Sequence, residues 1–185
     1  MIKEIVKDTF LLSRRCEAAT LDDLQTVQDL QDTLQAHADH CVGMAANMIE
    51  IKTKDNEQDY RYVRIEVFMK EQGFQNEFDE IDATAVHITV YVDGTLAGCA
   101  RCFPKEEEAA WVFGRIAVLP QFRHQGLGGV LLSEMESIVH SKKGRRCILD
   151  AQCRACAFYE SYGYTICGEE HMDEHVPHVQ MEKLL

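Results

Sequence analysis

No run of 18 uninterrupted apolar residues occurs in this 185-residue sequence, so no membrane-spanning helix is expected. The opening residues, MIKEIVKDTFLL, lack the apolar core of a secretory signal. Positive charge is scarce: 19 Lys and Arg against 31 Asp and Glu give a net −12. That balance argues against nucleic acid or an anionic membrane as partner and suits a cationic one. With neither span nor signal, a cytoplasmic protein is expected, its eight cysteines reduced. Also absent are the lysine-bearing G-x-x-x-x-G-K-[ST] loop and a complete G-x-G-x-x-G with an acidic residue about 20 positions on. What is left is one medium domain, or one domain with an appendage, long enough for a real core.

The organising stretch is WVFGRIAVLPQFRHQGLGGVLL, residues 111–132. Trp111 to Leu119 has the length and composition of a buried strand. Pro120 ends it, since proline has no N–H for a sheet ladder. Then come Arg123, His124, Gln125, Gly126, Leu127, Gly128 and Gly129, leading into an amphipathic helix with Leu127, Leu131, Met135, Ile138 and Val139 on one face. Strand, glycine-rich turn and helix N-terminus together make a phosphate cradle. Glycines let the backbone close on an anion, first-turn N–H groups lack intrahelical partners, and the helix dipole favours negative charge. The same letters also suit an ordinary strand–turn–helix, and only the flanks separate the two.

Those flanks read in order. MIEIKT (48–53) suits a first strand, and a helix from Asp55 to about Lys70 carries Tyr60, Val63 and Val67 on one face. EQGFQNEFDEID (71–82) is too acidic and irregular for either periodicity and is a loop. AVHITVYV (85–92), Asp93-Gly94 and TLAGCARCF (95–103) form a hairpin, because Asp-Gly suits the positive φ angles of a type I′ turn. KEEEA (105–109) is a solvated connection. RCILDA (146–151) is an apolar strand. Ala155, Phe158, Tyr159 and Tyr162 give a short helix closed by Gly163, and two strands follow near 164–168 and 178–184.

This order, with R-x-x-G-x-G at Arg123, Gly126 and Gly128, resembles the GNAT superfamily of N-acetyltransferases, in which that motif is the acetyl-CoA pyrophosphate loop. RACAFYESYGY (154–164) resembles the family's A-x-x-F-Y-x-x-x-G-[FY] segment through Ala155, Phe158, Tyr159, Gly163 and Tyr164. VFMKEQGF…EFDEIDATAVHI (67–88) is similar to the start of a small bacterial subgroup, and VPHVQMEK (176–183) to its end. The resemblance spans about 48–185. It implies an α/β fold, a mixed central sheet flanked by helices, here preceded by a helical appendage. It also implies acetyl-CoA as co-substrate and acetyl transfer to a primary amine by direct attack in a ternary complex. Direct attack fits the lack of a cysteine with a nucleophile signature and paired base. The acceptor would be a small-molecule or lysine-type amine, and the acidic loop favours a cationic one. A non-catalytic acyl-CoA-binding or regulatory module on the same fold is the alternative.

Roles follow from the resemblance. Backbone N–H groups of Gln125 to Gly129, His124 beside them, would hold the pyrophosphate, with Arg123 adding charge. The central strand's exposed backbone, around Ile116, Ala117 and Val118, would pair with the pantetheine arm and polarise the acetyl carbonyl. Tyr159 matches the tyrosine that protonates the departing thiolate; side-chain pattern alone favours a core aromatic, and the F-Y-x-x-x-G context reverses that. Phe158 would pack against cofactor or core. The base should be a carboxylate or a water chain. Glu71, Glu77, Asp79 and Asp82 lie in the acidic loop, and Glu71 ranks first through the E-Q pair it shares with the subgroup. His87 reads as a strand histidine in a polar contact, and Arg101 and Arg115 as strand residues facing the groove or a surface ion pair.

Residues 1–47 read as a separate, mainly helical piece, with a capping box at Thr20 and Asp23 and Leu24, Val27, Leu30 and Leu34 on one helical face to about His37. MIKEIVKDTF and CVGMAANMI (41–49) resemble the opening of a bacterial peptide deformylase, whose first motif is G-x-G-x-A-A. Cys41 stands for that motif's first glycine and Asn47 for its glutamine, and neither the metal-binding cysteine nor H-E-x-x-H follows. The piece cannot deformylate. Its apolar face must cover something, and a homodimer is one way. No metal is expected. Cys99 and Cys102 lie three apart on a strand and so point to opposite faces. Cys153 and Cys156 precede the short helix. His171, Glu174 and His175 spell H-x-x-E-H, but Pro177 denies it a helix, so a polar loop is expected.

Overall fold

The computed structural model describes residues 49–53, 56–105 and 109–185. The expected helix near 20–37, most of the 41–49 segment and the division at residue 47 lie outside them. No helix of the described residues is long and apolar enough to cross a membrane.

Strand β1 is Ile49–Lys52. Helix α1 follows at Glu57–Arg64 and widens into a π-helical segment, Ile65–Glu71. Tyr60, Val63 and Val67 face the core, and Arg64 goes in with them, 0% exposed. The chain then runs irregularly to a 3-10 turn, Glu80–Ala83. Strands β2 (Val86–Val92) and β3 (Thr95–Lys105) flank the Asp93-Gly94 turn. Both turn residues have positive φ, 51° and 73°, as a type I′ turn requires.

The central strand β4 is Ala110–Val118, and Pro120–Phe122 is a 3-10 turn beyond it. Helix α2, Leu127–Ser141, buries Leu127, Leu131, Met135 and Val139, a 3.6-residue stripe. Ile138, expected on that face, is only half-buried. Next are β5 (Arg146–Gln152), a 3-10 turn at Cys153–Ala155, and α3 (Cys156–Ser161). Gly163 closes α3 at φ +86°. Its N–H reaches the Glu160 carbonyl at 3.0 Å and that of Tyr164 reaches Tyr159 at 3.1 Å, a Schellman pair.

The C-terminal end departs from expectation. Two strands were expected, and there are three: β6 (Thr165–Ile166), β7 (His171–Asp173) and β8 (Val176–Leu184). His171–Asp173 is therefore not loop. It pairs back on β8, Asp173 opposite Val176, across the two-residue Glu174-His175 turn, and Glu174 takes a positive φ of 50° that hides the turn from a search for glycine.

The sheet order is β1-β2-β3-β4-β5-β8-β6, with β7 also on β8. β4 and β5 run parallel, while β4 is antiparallel to β3 and β5 to β8. Two irregularities open the sheet at one place. The parallel ladder ends at Phe113 opposite Leu149, while β5 continues against β8 to Gln152 opposite His178. On the other side, Cys99 to Arg101 spans two steps where Ala117 to Gly114 spans three, so β4 carries one extra residue, a bulge that bends and re-aims the strand. Arg115 sits in it at φ +55°, costing about 1 kcal/mol for a residue with a β-carbon.

Candidate functional site

The loop between β4 and α2 turns at His124 (φ +62°) and at Gly126 (φ +78°), which caps the helix. Nothing lies within 4 Å of where a Gly126 β-carbon would stand. Gly128 and Gly129 are glycine for another reason: a β-carbon on the first would press on the Phe158 ring, and on the second would collide with the Tyr162 hydroxyl. The missing side chains let α3 lie across the first turn of α2. Together these elements line a cavity of about 400 Å³ bounded by Val118, Arg123, Gly126, Gly128, Phe158 and Tyr162.

A second cavity, about 260 Å³, opens where β4 and β5 part; its walls include Phe68, Glu77, Arg115, Ile116, Tyr159 and His178. The two share a wall. Ile116 and Val118 of β4 face one cavity each, as do Tyr159 and Phe158 of α3, whose rings lie 5.0 Å apart. A long ligand laid along β4 from the glycine loop therefore ends beside Tyr159.

The acidic loop is pinned into the second cavity by three arginines. Arg64 donates to Glu77 Oε1 at 2.7 Å, to Asp82 Oδ1 at 2.6 Å and to the Glu77 carbonyl at 2.5 Å. Arg101 holds Asp79 and Asp82 at 2.6 and 2.7 Å. Arg115 reaches Glu77 Oε1 at 3.0 Å. Burial alone would raise the Asp82 carboxyl, but the Arg64 and Arg101 hydrogen bonds outweigh it and hold the group well below the usual carboxylate range. For Glu77 burial wins, and its carboxyl is raised despite Arg115 and Arg64. From the other side the β7–β8 turn latches the loop: Glu174 accepts from the Gln75 and Asn76 N–H groups at 3.0 and 2.9 Å, and His175 Nε2 donates to the Gln72 carbonyl at 2.8 Å.

The family model for the acetyltransferase (GNAT) domain matches residues 56–185.

The chain belongs to the GNAT family of acetyltransferases.

The Bacillus subtilis uncharacterized N-acetyltransferase YjcF is 35% identical over 135 residues, 71% of this chain and 95% of that one. In fold the chain is similar to an acyl-CoA N-acyltransferase from Pseudomonas aeruginosa, with a TM-score of 0.65 at 24% identity, covering 73% of this chain and 97% of that one. A Clostridium beijerinckii peptide deformylase is 52% identical over 54 residues, 29% of this chain and 40% of the deformylase.

Within this GNAT acetyltransferase the motif residues come together in part. Arg123, His124, Gly126, Leu127, Gly128, Gly129, Val118 and Phe158 line one cavity, and Ile116 and Tyr159 the other. The Ala117 side chain is in the core with Tyr60, Val63 and Cys99, and its backbone lies in the β3–β4 ladder opposite Cys99. Gln125 is exposed at the loop tip. Glu71 is on the other side of Arg123, which grips both its carboxylate oxygens at 2.9 and 2.5 Å. That bond, more than any other influence, holds the Glu71 carboxyl below its ordinary value. Arg123 also donates to the Val118 carbonyl at 3.0 Å, so it braces the glycine loop against β4 and α1. Burial pushes the Tyr159 phenol up to about 12.

Sequence reasoning missed Arg64, Gln72 and His178, and met Glu174 only as a letter of H-x-x-E-H. Those three letters have separate uses. His171 bonds Asp150 at 3.0 Å, Glu174 caps the 75–76 backbone, and His175 caps Gln72. Among the described residues no three His, Cys, Asp or Glu side chains are grouped to hold a metal. His87 stacks on Tyr60 with ring centroids 3.8 Å apart and donates from Nε2 to the Asp82 carbonyl, a supporting role.

Proposed function

We propose that this protein transfers the acetyl group of acetyl-CoA to a primary amine of a cationic small molecule or lysine-type side chain, by direct attack in a ternary complex. One observation carries the proposal. A glycine-loop cavity suited to a diphosphate and a carboxylate-lined cavity meet at the β4 bulge, with Tyr159 at the junction. The cradle suits the cofactor: Gly126 has open space where a side chain would block it, and the first-turn N–H groups and dipole of α2 favour an anion.

Bound acetyl-CoA supplies a thioester; the chain supplies position and charge. The backbone of Ile116 to Val118, parted from β5, would lie along the pantetheine arm. An oxyanion contact of the usual kind contributes ~3 kcal/mol. Tyr159 would give a proton to the departing sulfur. Burial pushes the Tyr159 phenol up to about 12, so the hydroxyl keeps its proton until the thiolate departs. Among charged residues lining the acceptor cavity, Glu77, Asp150, Asp173 and Glu174 outnumber Arg101 and Arg115, four to two, which supports a cationic acceptor. The six cysteines among the described residues are free thiols, in keeping with a reducing cytoplasm.

The test is calorimetric titration with acetyl-CoA, then thiol release with spermidine and with Nα-acetyl-lysine. Micromolar binding and amine-dependent release are expected. Absence of binding overturns the proposal.

A further inference from the structure

The reaction needs a group to take a proton from the incoming ammonium. Glu71 does not fill that place, since it lies outside the acceptor cavity and both its oxygens are held by Arg123. Glu77 lines the cavity, but one of its oxygens already accepts from Arg64 and Arg115. His178 is different. It is a β8 residue, 6% exposed, opposite Gln152 at the end of the β5–β8 ladder, and it lines the same cavity as Tyr159 and Ile116. Its Nδ1 lies 3.0 Å from the Val176 carbonyl. A carbonyl oxygen only accepts, so Nδ1 carries the hydrogen, and in the neutral ring the lone pair is on Nε2. Among the described residues that bond is the only one the ring makes. Nor is Nε2 sealed in, because the sealed, unpartnered side-chain atoms are His87 Nδ1 and Arg101 Nε. Phe74 meets the ring edge-on at 6.3 Å and holds its plane.

We infer that His178 is the general base of the acetyl transfer, its Nε2 taking the proton from the cationic acceptor amine. This rests on the acetyltransferase reading proposed above. One ammonium proton passes to Nε2, and the neutral amine attacks the acetyl carbon. The carbon–sulfur bond breaks, and the sulfur takes a proton from the Tyr159 hydroxyl. The second proton on nitrogen returns to the phenolate, leaving amide and free CoA thiol. His178 then gives its proton to solvent, one per turnover. The exit is near: His171, directly across the ladder, has its ring 6.4 Å away and bonds Asp150 at the rim.

Charged groups face His178 from every element packed against it. β7 contributes His171 and Asp173, the turn Glu174 and His175, and β5 Asp150. Opposite stand Glu77 of the acidic loop with Arg115 and Arg101.

The experiment measures kcat and kcat/KM against pH for the full chain, with acetyl-CoA and spermidine or Nα-acetyl-lysine. Expected for His178→Gln are a kcat fall of about 10²–10³, loss of the acidic limb of the kcat/KM profile, and an acetyl-CoA Kd within about twofold. Glu77→Gln should keep the limb. A wild-type profile in His178→Gln, or loss of the limb in Glu77→Gln alone, overturns the assignment while the acetyltransferase reading stands. Failure of the wild-type protein to bind acetyl-CoA or acetylate either amine overturns both. If His178→Gln does not fold, ¹⁵N resonances of the wild-type ring decide. Nδ1–H with an Nε2 that protonates in step with the kinetic limb is expected, and a proton on Nε2 throughout refutes the role.

Discussion

Arg64→Met reaches furthest through the acidic loop. Methionine keeps much of the arginine stem's volume and removes a guanidinium that is 0% exposed. In the wild-type cluster three guanidiniums, Arg64, Arg101 and Arg115, face three carboxylates, Glu77, Asp79 and Asp82. Removing one leaves two against three, with Glu77 only 4% exposed. Breaking a buried pair from one side costs about 3–5 kcal/mol. The lower figure applies here, because Glu77 keeps Arg115 at 3.0 Å and Asp82 keeps Arg101 at 2.7 Å. The penalty depends on pH with a definite sign. Burial already raises the Glu77 carboxyl, and losing Arg64 raises it further, so the folded variant binds a proton the unfolded chain releases. Its stability therefore falls as pH rises through the folded value. Urea denaturation at pH 5.5 and 8 should show the larger loss at pH 8, with m unchanged. Arg64→Met/Glu77→Gln should recover part of it, the shortfall from additivity reporting the pair. A loss under about 1 kcal/mol, or one equal at both pH values, refutes the reasoning.

Other outcomes follow from the same geometry. Gly126→Asp puts a charge and a β-carbon at φ +78° in the cradle; it should abolish the stabilisation by acetyl-CoA, about 2.7 kcal/mol at 100 times Kd, read as a melting shift. Gly129→Ala should cost about 1–3 kcal/mol in denaturant titration, since Tyr162 must move. Asp82 is held below the ordinary range, so its contribution is present above the unfolded value near 3.9 and is lost as pH falls. Acid titration of Asp82→Asn should accordingly show a flatter loss of stability below about pH 5.

Local chemistry was legible in the sequence, and long-range pairing was not. Asp93-Gly94 and Gly163 named their turns because φ above zero restricts residue choice. Gly126, Phe158 and Tyr159 were placed by motif; Gly126 and Phe158 line one cavity and Tyr159 the neighbouring one. Gly128 and Gly129 were legible as glycines but not as the seat for Phe158 and Tyr162, which come about 30 residues later. Arg64 has the spacing of a core residue with the charge of a surface one; only its partners, 13 and 18 positions on, explain its burial. Glu71 and Arg123 are 52 apart, and Glu174 caps a backbone 98 residues away. The β4 bulge leaves no letter in the sequence, since its left-handed residue is an arginine. His178 is hidden in VPHVQM, where a strand histidine reads like any other; only the parting of β4 from β5 turns it toward chemistry.

The central claim is acetyl transfer at the junction of the two cavities, and single-turnover kinetics tests it most directly. Protein in excess over acetyl-CoA is mixed with spermidine or Nα-acetyl-lysine, quenched over time and analysed by mass spectrometry for the acetylated amine and free CoA. The expected result is stoichiometric acetyl-amine formation by the wild-type protein. Tyr159→Phe, with acetyl-CoA bound as tightly, should be slowed toward the lower end of the 10²–10⁴ span of a positioned acid. Acetyl-CoA bound by the wild-type protein but returned intact, or an unchanged rate in Tyr159→Phe, would contradict the account.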